Sequence, residues 1–138
     1  VLEEFYERHI DMNQLKEKAL ELKNKWNIHT FYCDPSEPMF IQAFNNAGIR
    51  AVASANDIMP GIKEVAGRLK VQGDGKPRLF VRSTCLNTIN EFQMYRYPDK
   101  KEGRPEQEEP LKIFDHAMDS LKYACLSMRM PKISYYVA

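Results

Sequence analysis

The stretch Ile28-His29-Thr30-Phe31-Tyr32-Cys33-Asp34-Pro35 decides how this chain is read. Its first six residues are mostly apolar or β-favouring and lack helical periodicity, which predicts a short buried strand. Asp34-Pro35 stops that strand. Ser36 is expected to cap a helix that has Pro38 in its first turn and Gly48 just past its end. Upstream, Asp11 and Gln14 have the spacing of a capping box, and Leu15, Ala19, Leu22 and Trp26 recur at helical intervals. Downstream, Ile49 to Ala53 reads as a second strand and Asp57 as the cap of a helix running to about Lys70. Strands and helices in alternation imply an α/β class with a mixed, mainly parallel central sheet flanked by helices. Such folds place ligands and catalysts at the carboxyl ends of their strands, which makes Asp34 the first candidate functional residue. An Asp before Pro also serves simply to start a turn.

Further out the elements are shorter. Val1 to Tyr6 reads as the end of a strand, Gly73-Asp74-Gly75 as a tight turn beside a Leu79–Val81 strand, and Ser83 or Thr84 as the start of a helix reaching about Met94. Three or four strands are few for a parallel sheet, so further strands are expected upstream of Val1. Pro98 to Pro110 is a polar loop, and Phe114 to Met128 a closing helix with Ala117, Leu121, Ala124 and Cys125 along one side. In that helix Asp115 and Asp119 share a face one turn apart, with His116 between them. Two like charges so placed repel, and a divalent cation relieves the repulsion; the plainer alternative is an N-cap and a solvated carboxylate. Mg²⁺ or Mn²⁺ takes oxygen ligands and needs one or two carboxylates, and a pair of such ions clamps the attacking and leaving oxygens of a phosphodiester. Asp34, Asp115 and Asp119 are the residues that could supply part of such a cage.

Bulk properties bound the rest. The 138 residues suit one domain, and 43% apolar content suits a packed core. No apolar run is long enough to span a membrane, and the first residues have no signal-peptide pattern. The absence of a starting Met is read as the mark of a fragment. A formal net charge of +1 argues against tight nucleic-acid binding by the chain alone, while leaving room for a local basic face. Lys63, Arg68, Lys70, Arg78, Arg82 and Arg96 are the candidates for tracking a phosphate backbone, against the alternative of an ordinary solvated surface. Cys33, Cys85 and Cys125 are odd in number and form no C-x-x-C pair, so they are expected to be plain thiols in a reducing cytosol. His9 and His29 are expected to be structural.

Several segments, in order, resemble the nuclease domain of tailed-phage and prophage large terminases. They are Glu3-Glu-Phe-Tyr-Glu-Arg-His9, Tyr32-Cys-Asp-Pro-Ser-Glu-Pro38, Pro60-Gly-Ile-Lys-Glu-Val65 with Arg68-Leu69-Lys70, Asn87-Thr-Ile-Asn-Glu-Phe-Gln-Met-Tyr95, and Phe114-Asp-His-Ala-Met-Asp-Ser-Leu-Lys-Tyr-Ala124. The resemblance covers residues 1–127 and leaves 128–138 as a tail. It implies a ribonuclease H-like fold lacking its first strands, and a two-metal endodeoxyribonuclease that uses Mg²⁺ or Mn²⁺ to cut concatemeric viral DNA during packaging. It also implies Asp34 as a metal ligand, with Asp115, His116 and Asp119 as the acidic cluster of the last helix. The partners implied are double-stranded DNA and, in the parent protein, an ATPase domain, small terminase and portal, in the host cytoplasm. The first catalytic Asp of that family lies on a strand upstream of Val1, so the chain alone is expected to be an inactive or severely impaired nuclease; no phosphate-binding G-x-x-x-x-G-K-[ST] occurs, so the family's ATPase is not expected within these residues. The alternatives are a truncated, non-catalytic packaging module contacting DNA or portal, or another ribonuclease H-like nuclease or recombinase.

Overall fold

A computed structural model describes residues 1–98, 110–113 and 115–129. The elements are α1 (Met12–Trp26), β1 (Phe31–Cys33), α2 (Pro38–Asn46), β2 (Ala51–Ala53), α3 (Ile58–Leu69), α4 (Leu86–Met94) and α5 (His116–Arg129). β1 and β2 pair in parallel, with Phe31 opposite Ala51 and Cys33 opposite Ala53. The class is therefore α/β, as the alternation implies, with a two-stranded sheet among the described residues.

The local rules behind the helices are visible. Asp11 takes the N–H groups of Asn13 and Gln14 at 2.8 and 3.0 Å, and Gln14 reaches back to the Asp11 N–H at 3.1 Å, which completes the capping box on α1. α1 ends at Asn27, whose left-handed φ of 51° turns the chain so that the next N–H, that of Ile28, also bonds the Lys23 carbonyl, at 3.0 Å. α2 starts on Pro38 at its amino end and stops before Gly48 at φ 75°.

Ala19, Phe44, Ile49 and Ala51 form a core beneath α1 and α2, with Leu15, Leu20, Phe31 and Ile41 packed against it. Ile49 has no exposed surface, and its burial contributes roughly 1.5–3 kcal/mol. Phe31 and Phe44 meet edge to face with centroids 6.1 Å apart. The Asn45 amide bonds both the N–H and the carbonyl of Ala51, at 3.2 and 2.9 Å, so a side chain satisfies β2 where a neighbouring strand would.

Several expected boundaries move. The strand expected from Ile28 begins at Phe31, because the Ile28 N–H closes the end of α1 on Lys23. The strand expected from Ile49 begins at Ala51, because the Ile49 N–H bonds the Phe44 carbonyl at the end of α2. Val1–Tyr6 and Leu79–Val81 are not strands. They do touch: the Val1 amino group donates to the Phe80 carbonyl, and the Arg82 N–H to the Val1 carbonyl at 3.1 Å, a contact too short to make a ladder. α4 begins at Leu86 rather than at Ser83 or Thr84, and Ser36 caps no helix. The turn at Gly73–Gly75 is present, with Gly75 at φ 78°. Most of the 98–110 loop lies outside the described residues. The 127/128 boundary falls inside α5, and residues 130–138 also lie outside the described ones. Among the described residues no helix is long and apolar enough to cross a membrane.

Candidate functional site

The carboxyl end of β1 meets the first half of α5. Asp34 directly follows β1, and its Oδ1 accepts from both the N–H and the hydroxyl of Ser36, at 2.9 and 2.8 Å. This explains why Ser36 does not cap α2. The Asp34 Oδ2 accepts from the Tyr123 hydroxyl at 3.2 Å, across 89 residues of sequence. The Ser36 hydrogen bonds, with smaller help from Tyr123 and Lys112, hold the Asp34 carboxyl below the usual carboxylate range despite partial burial. Asp34 is therefore charged at neutral pH.

Asp115, Asp119 and Tyr123 recur every fourth residue, which puts them on one stripe of α5. The Asp119 N–H bonds the Asp115 carbonyl at 2.7 Å, so Asp115 opens the helix and Asp119 lies in its first turn. All three carboxylates act on one phenol. Burial, then the charges of Asp119 and Asp34, then the Asp34 hydrogen bond and Asp115, push the Tyr123 hydroxyl up to about 12. It is thus a neutral hydrogen-bond donor at the centre of the cluster. Asp115, Asp119, Lys122, Tyr123 and Lys112 line a small cavity of about 130 Å³.

The neighbouring stripe of α5 is buried. Met118, Lys122 and Cys125 follow helical spacing and are 4%, 8% and 2% exposed. The apolar side expected from sequence was Ala117, Leu121, Ala124 and Cys125; of these only Cys125 is fully buried, and the others line a larger groove beside Val1–Arg8. His116 lines that groove too, its ring 6.3 Å from that of Tyr6, so the structure does not bring it to the cavity that Asp115 and Asp119 share.

Lys122 is the charged member of the buried stripe. Its Nζ lies 2.6 Å from Asp119 and 3.2 Å from the Tyr95 hydroxyl. Burial opposes its charge, but Asp119 and Tyr95 more than offset this and keep its ammonium above the ordinary lysine range. Gly61 of α3 makes room for it: a Cβ there would stand 3.1 Å from the Lys122 Cβ.

Two remote carboxylates hold these helices. Glu4 accepts from the N–H groups of Asn87 and Thr88, each at 2.8 Å, and from both side chains, so it caps α4. Glu91 of α4, only 2% exposed, accepts from the N–H groups of Ala117 and Met118 at 2.7 and 3.0 Å and from the Tyr6 hydroxyl at 2.8 Å, so it caps α5.

No model of a known protein family matches the sequence, and no curated protein matches it. Among solved structures the chain is similar to the large terminase of a thermophilic bacteriophage, crystallised in complex with ATP-γ-S. The TM-score is 0.68 and the identity 24%, over 86% of this chain. The fold is terminase-like. The chain spans 29% of the length of that solved chain.

Asp34, Asp115 and Asp119 offer hard oxygen, the chemistry that suits Mg²⁺ or Mn²⁺, but Lys112 and Lys122 line the same cavity as Asp115 and Asp119. Ser54, just past the end of β2, is 7% exposed and its hydroxyl has no partner among the described residues. Among those residues no three His, Cys, Asp or Glu side chains are close enough to hold one ion. Asp34 is turned to Ser36 and Tyr123, and Asp119 to Lys122. Of the basic candidates, Arg68 pairs with Glu64 at 2.9 Å and reaches the Cys125 carbonyl at 3.5 Å, tying α3 to α5, and Arg78 pairs with Asp74 at 2.9 Å. Lys63, Lys70, Arg82 and Arg96 are exposed. Cys33 is half-buried, Cys85 and Cys125 are buried, and all three are free thiols. His9 and His29 are exposed.

The sequence reading passed over Lys122, Tyr123, Glu4 and Glu91. Tyr123 carried a usable signal, since it continues the Asp115–Asp119 stripe by one more turn.

Proposed function

We propose that this chain is part of a ribonuclease H-like nuclease domain of a large terminase, a divalent-metal-dependent DNA endonuclease that cuts concatemeric viral DNA during genome packaging. The observation that carries the proposal is the hydrogen bond from Tyr123 of α5 to Asp34 at the end of β1, which joins that strand end to the helix carrying Asp115 and Asp119, in a terminase-like fold. Distant acidic residues gathered at a strand's carboxyl end are costly unless something neutralises them. Asp34, Asp115 and Asp119 are the proposed metal ligands, each mostly hydrated Mg²⁺ or Mn²⁺ taking one or two of them and filling the rest of its shell with water.

A bound ion supplies Lewis-acid polarisation of the phosphodiester and a more acidic water. The chain's own residues do the rest. Ser36 and Tyr123 fix the rotamer of Asp34, and Glu91 fixes the amino end of α5 and so the height of Asp115 and Asp119 against it. Exposed Lys63, Lys70, Arg82 and Arg96 are the proposed phosphate contacts, sequence-independent and salt-sensitive. Double-stranded DNA is the proposed substrate, and the ATPase domain, small terminase and portal are the proposed partners in the host cytoplasm.

Mn²⁺ binding followed by electron paramagnetic resonance tests the site. Wild-type chain is expected to reduce the free Mn²⁺ signal, and Asp34→Asn to weaken that binding by about 10–100-fold. Equal binding by Asp34→Asn would overturn the assignment.

A further inference from the structure

The small cavity that Asp115 and Asp119 line carries two cations in different circumstances. Lys122 is buried, and its ammonium is committed to Asp119 at 2.6 Å and to the Tyr95 hydroxyl at 3.2 Å. Lys112 is exposed, and among the described residues its ammonium has neither an ion pair nor a hydrogen bond. Its backbone is nonetheless held in place. The N–H of Leu111 beside it bonds the Arg96 carbonyl at 3.0 Å, and Pro110 is buried. Asn56, three residues past the end of β2, is exposed on the same cavity, and its amide has no partner among the described residues. We infer that this cavity is a phosphate seat, in which the Lys112 ammonium and the Asn56 amide take one backbone phosphate of a DNA strand. The inference rests on the reading of DNA as substrate given above, and it needs no metal ion.

Charge decides what the cavity accepts. Lys122 and Asp119 cancel, so neither attracts nor repels a ligand strongly. Asp115 remains, and Lys112 opposes it. A phosphodiester carries one negative charge, which Asp115 alone would repel and Lys112 offsets. The charge of Lys112 also reaches past the cavity: after the Ser36 hydrogen bonds and Tyr123, it helps to hold the Asp34 carboxyl low. A cation that stands among carboxylates and pairs with none keeps its charge for an incoming anion. Neutralising a DNA phosphate releases a counterion, which makes the contact favourable and salt-sensitive. Asn56 adds a neutral donor of the kind that positions a phosphate without reading sequence. The cavity volume, about 130 Å³, is well under the roughly 300–1,000 Å³ of clefts for drug-sized ligands, which suits a single phosphate group. The Leu111–Arg96 bond joins the segment bearing Lys112 to the one bearing exposed Arg96, so Lys112 extends a phosphate track already proposed for Arg96.

Fluorescence anisotropy of a labelled DNA duplex, titrated with the 138-residue chain in EDTA, tests this without a metal. Wild type is expected to bind weakly. Lys112→Gln should weaken binding on the order of tenfold at low salt, and the slope of log affinity against log salt should become shallower by about one. Lys112→Arg should restore both. Asn56→Ala should weaken binding about threefold with the slope unchanged, because it removes a donor and no charge. Asp115→Asn should strengthen binding, because it removes the repulsion. Wild-type affinity and slope in Lys112→Gln, or no effect from both Asn56→Ala and Asp115→Asn, would overturn the inference and leave the DNA reading standing on the other basic residues. A wild-type chain that binds no DNA would overturn both.

Discussion

α1 and α5 begin in the same way and for opposite reasons. Asp11 caps α1 from within its own turn, in a box closed by Gln14 three residues on. α5 is capped by Glu91, 26 residues earlier and on another helix, and α4 is capped in turn by Glu4, 83 residues before Asn87. A local cap stabilises one helix. A remote cap also sets where that helix stands relative to the element that supplies it. The two remote caps run in series, Val1–Arg8 to α4 and α4 to α5, and end on the helix that carries Asp115 and Asp119. The region around α1 is organised by packing on Ala19, Phe44 and Ile49, and the candidate site by the carboxylates of half-buried Glu4 and buried Glu91.

The largest test of this contrast is Glu91→Ala. It leaves the N–H groups of Ala117 and Met118 and the Tyr6 hydroxyl without their acceptor, in a place with almost no solvent, at a cost of about 3 kcal/mol. Thermal unfolding should fall by roughly 10 °C, and Mn²⁺ binding should weaken as α5 shifts against Asp34. A change no larger than that of a local cap would break the comparison.

Glu4→Ala should cost less, about 1–2 kcal/mol, because Glu4 is only partly enclosed. It also has a pH signature. Burial opposes the charged form of Glu4, yet the hydrogen bonds from Thr88 and Asn87 win and lower its pKa in the fold. A carboxyl lowered by folding stabilises above its unfolded value, near 4.3, and loses that contribution as pH falls through the folded value. Chemical denaturation below about pH 4 should therefore show a shallower acid loss in Glu4→Ala than in wild type.

Asp11→Ala should be the mildest, about 1 kcal/mol, typical of an exposed N-cap. Its Mn²⁺ binding should equal that of wild type. Weakened metal binding in this variant would show that the two regions are not energetically separate.

The same contrast explains what the sequence could show. The box at Asp11, the Pro38 start and Gly48 stop of α2, and the strand before Asp34 are all local patterns, and all appear where expected within a few residues. The strands came out short because the carbonyls of Lys23 and Phe44 claimed Ile28 and Ile49 for helix ends, a competition that composition does not reveal. Asp34 and Asp115 were legible as candidates, since strand ends and helix starts are where function gathers. Lys122 was not, because a lysine in a polar-looking stretch reads as solvated until Gly61, Tyr95 and Asp119 are seen around it. Glu91 carries no local signal either, because its partners lie at Tyr6, Ala117 and Met118. His116 lay between two candidate aspartates in sequence, yet helical rotation carries it to the groove beside Tyr6.

The proposed function, DNA cleavage by these carboxylates with a divalent ion, is tested most directly by relaxation of supercoiled plasmid by the 138-residue chain. Because Asp34 and Asp119 are tied to Tyr123 and Lys122 rather than gathered around one point, the account predicts slow nicking. That nicking should require Mn²⁺, stop with EDTA and disappear in Asp34→Asn. Nicking that survives chelation or the Asp34 substitution would contradict it.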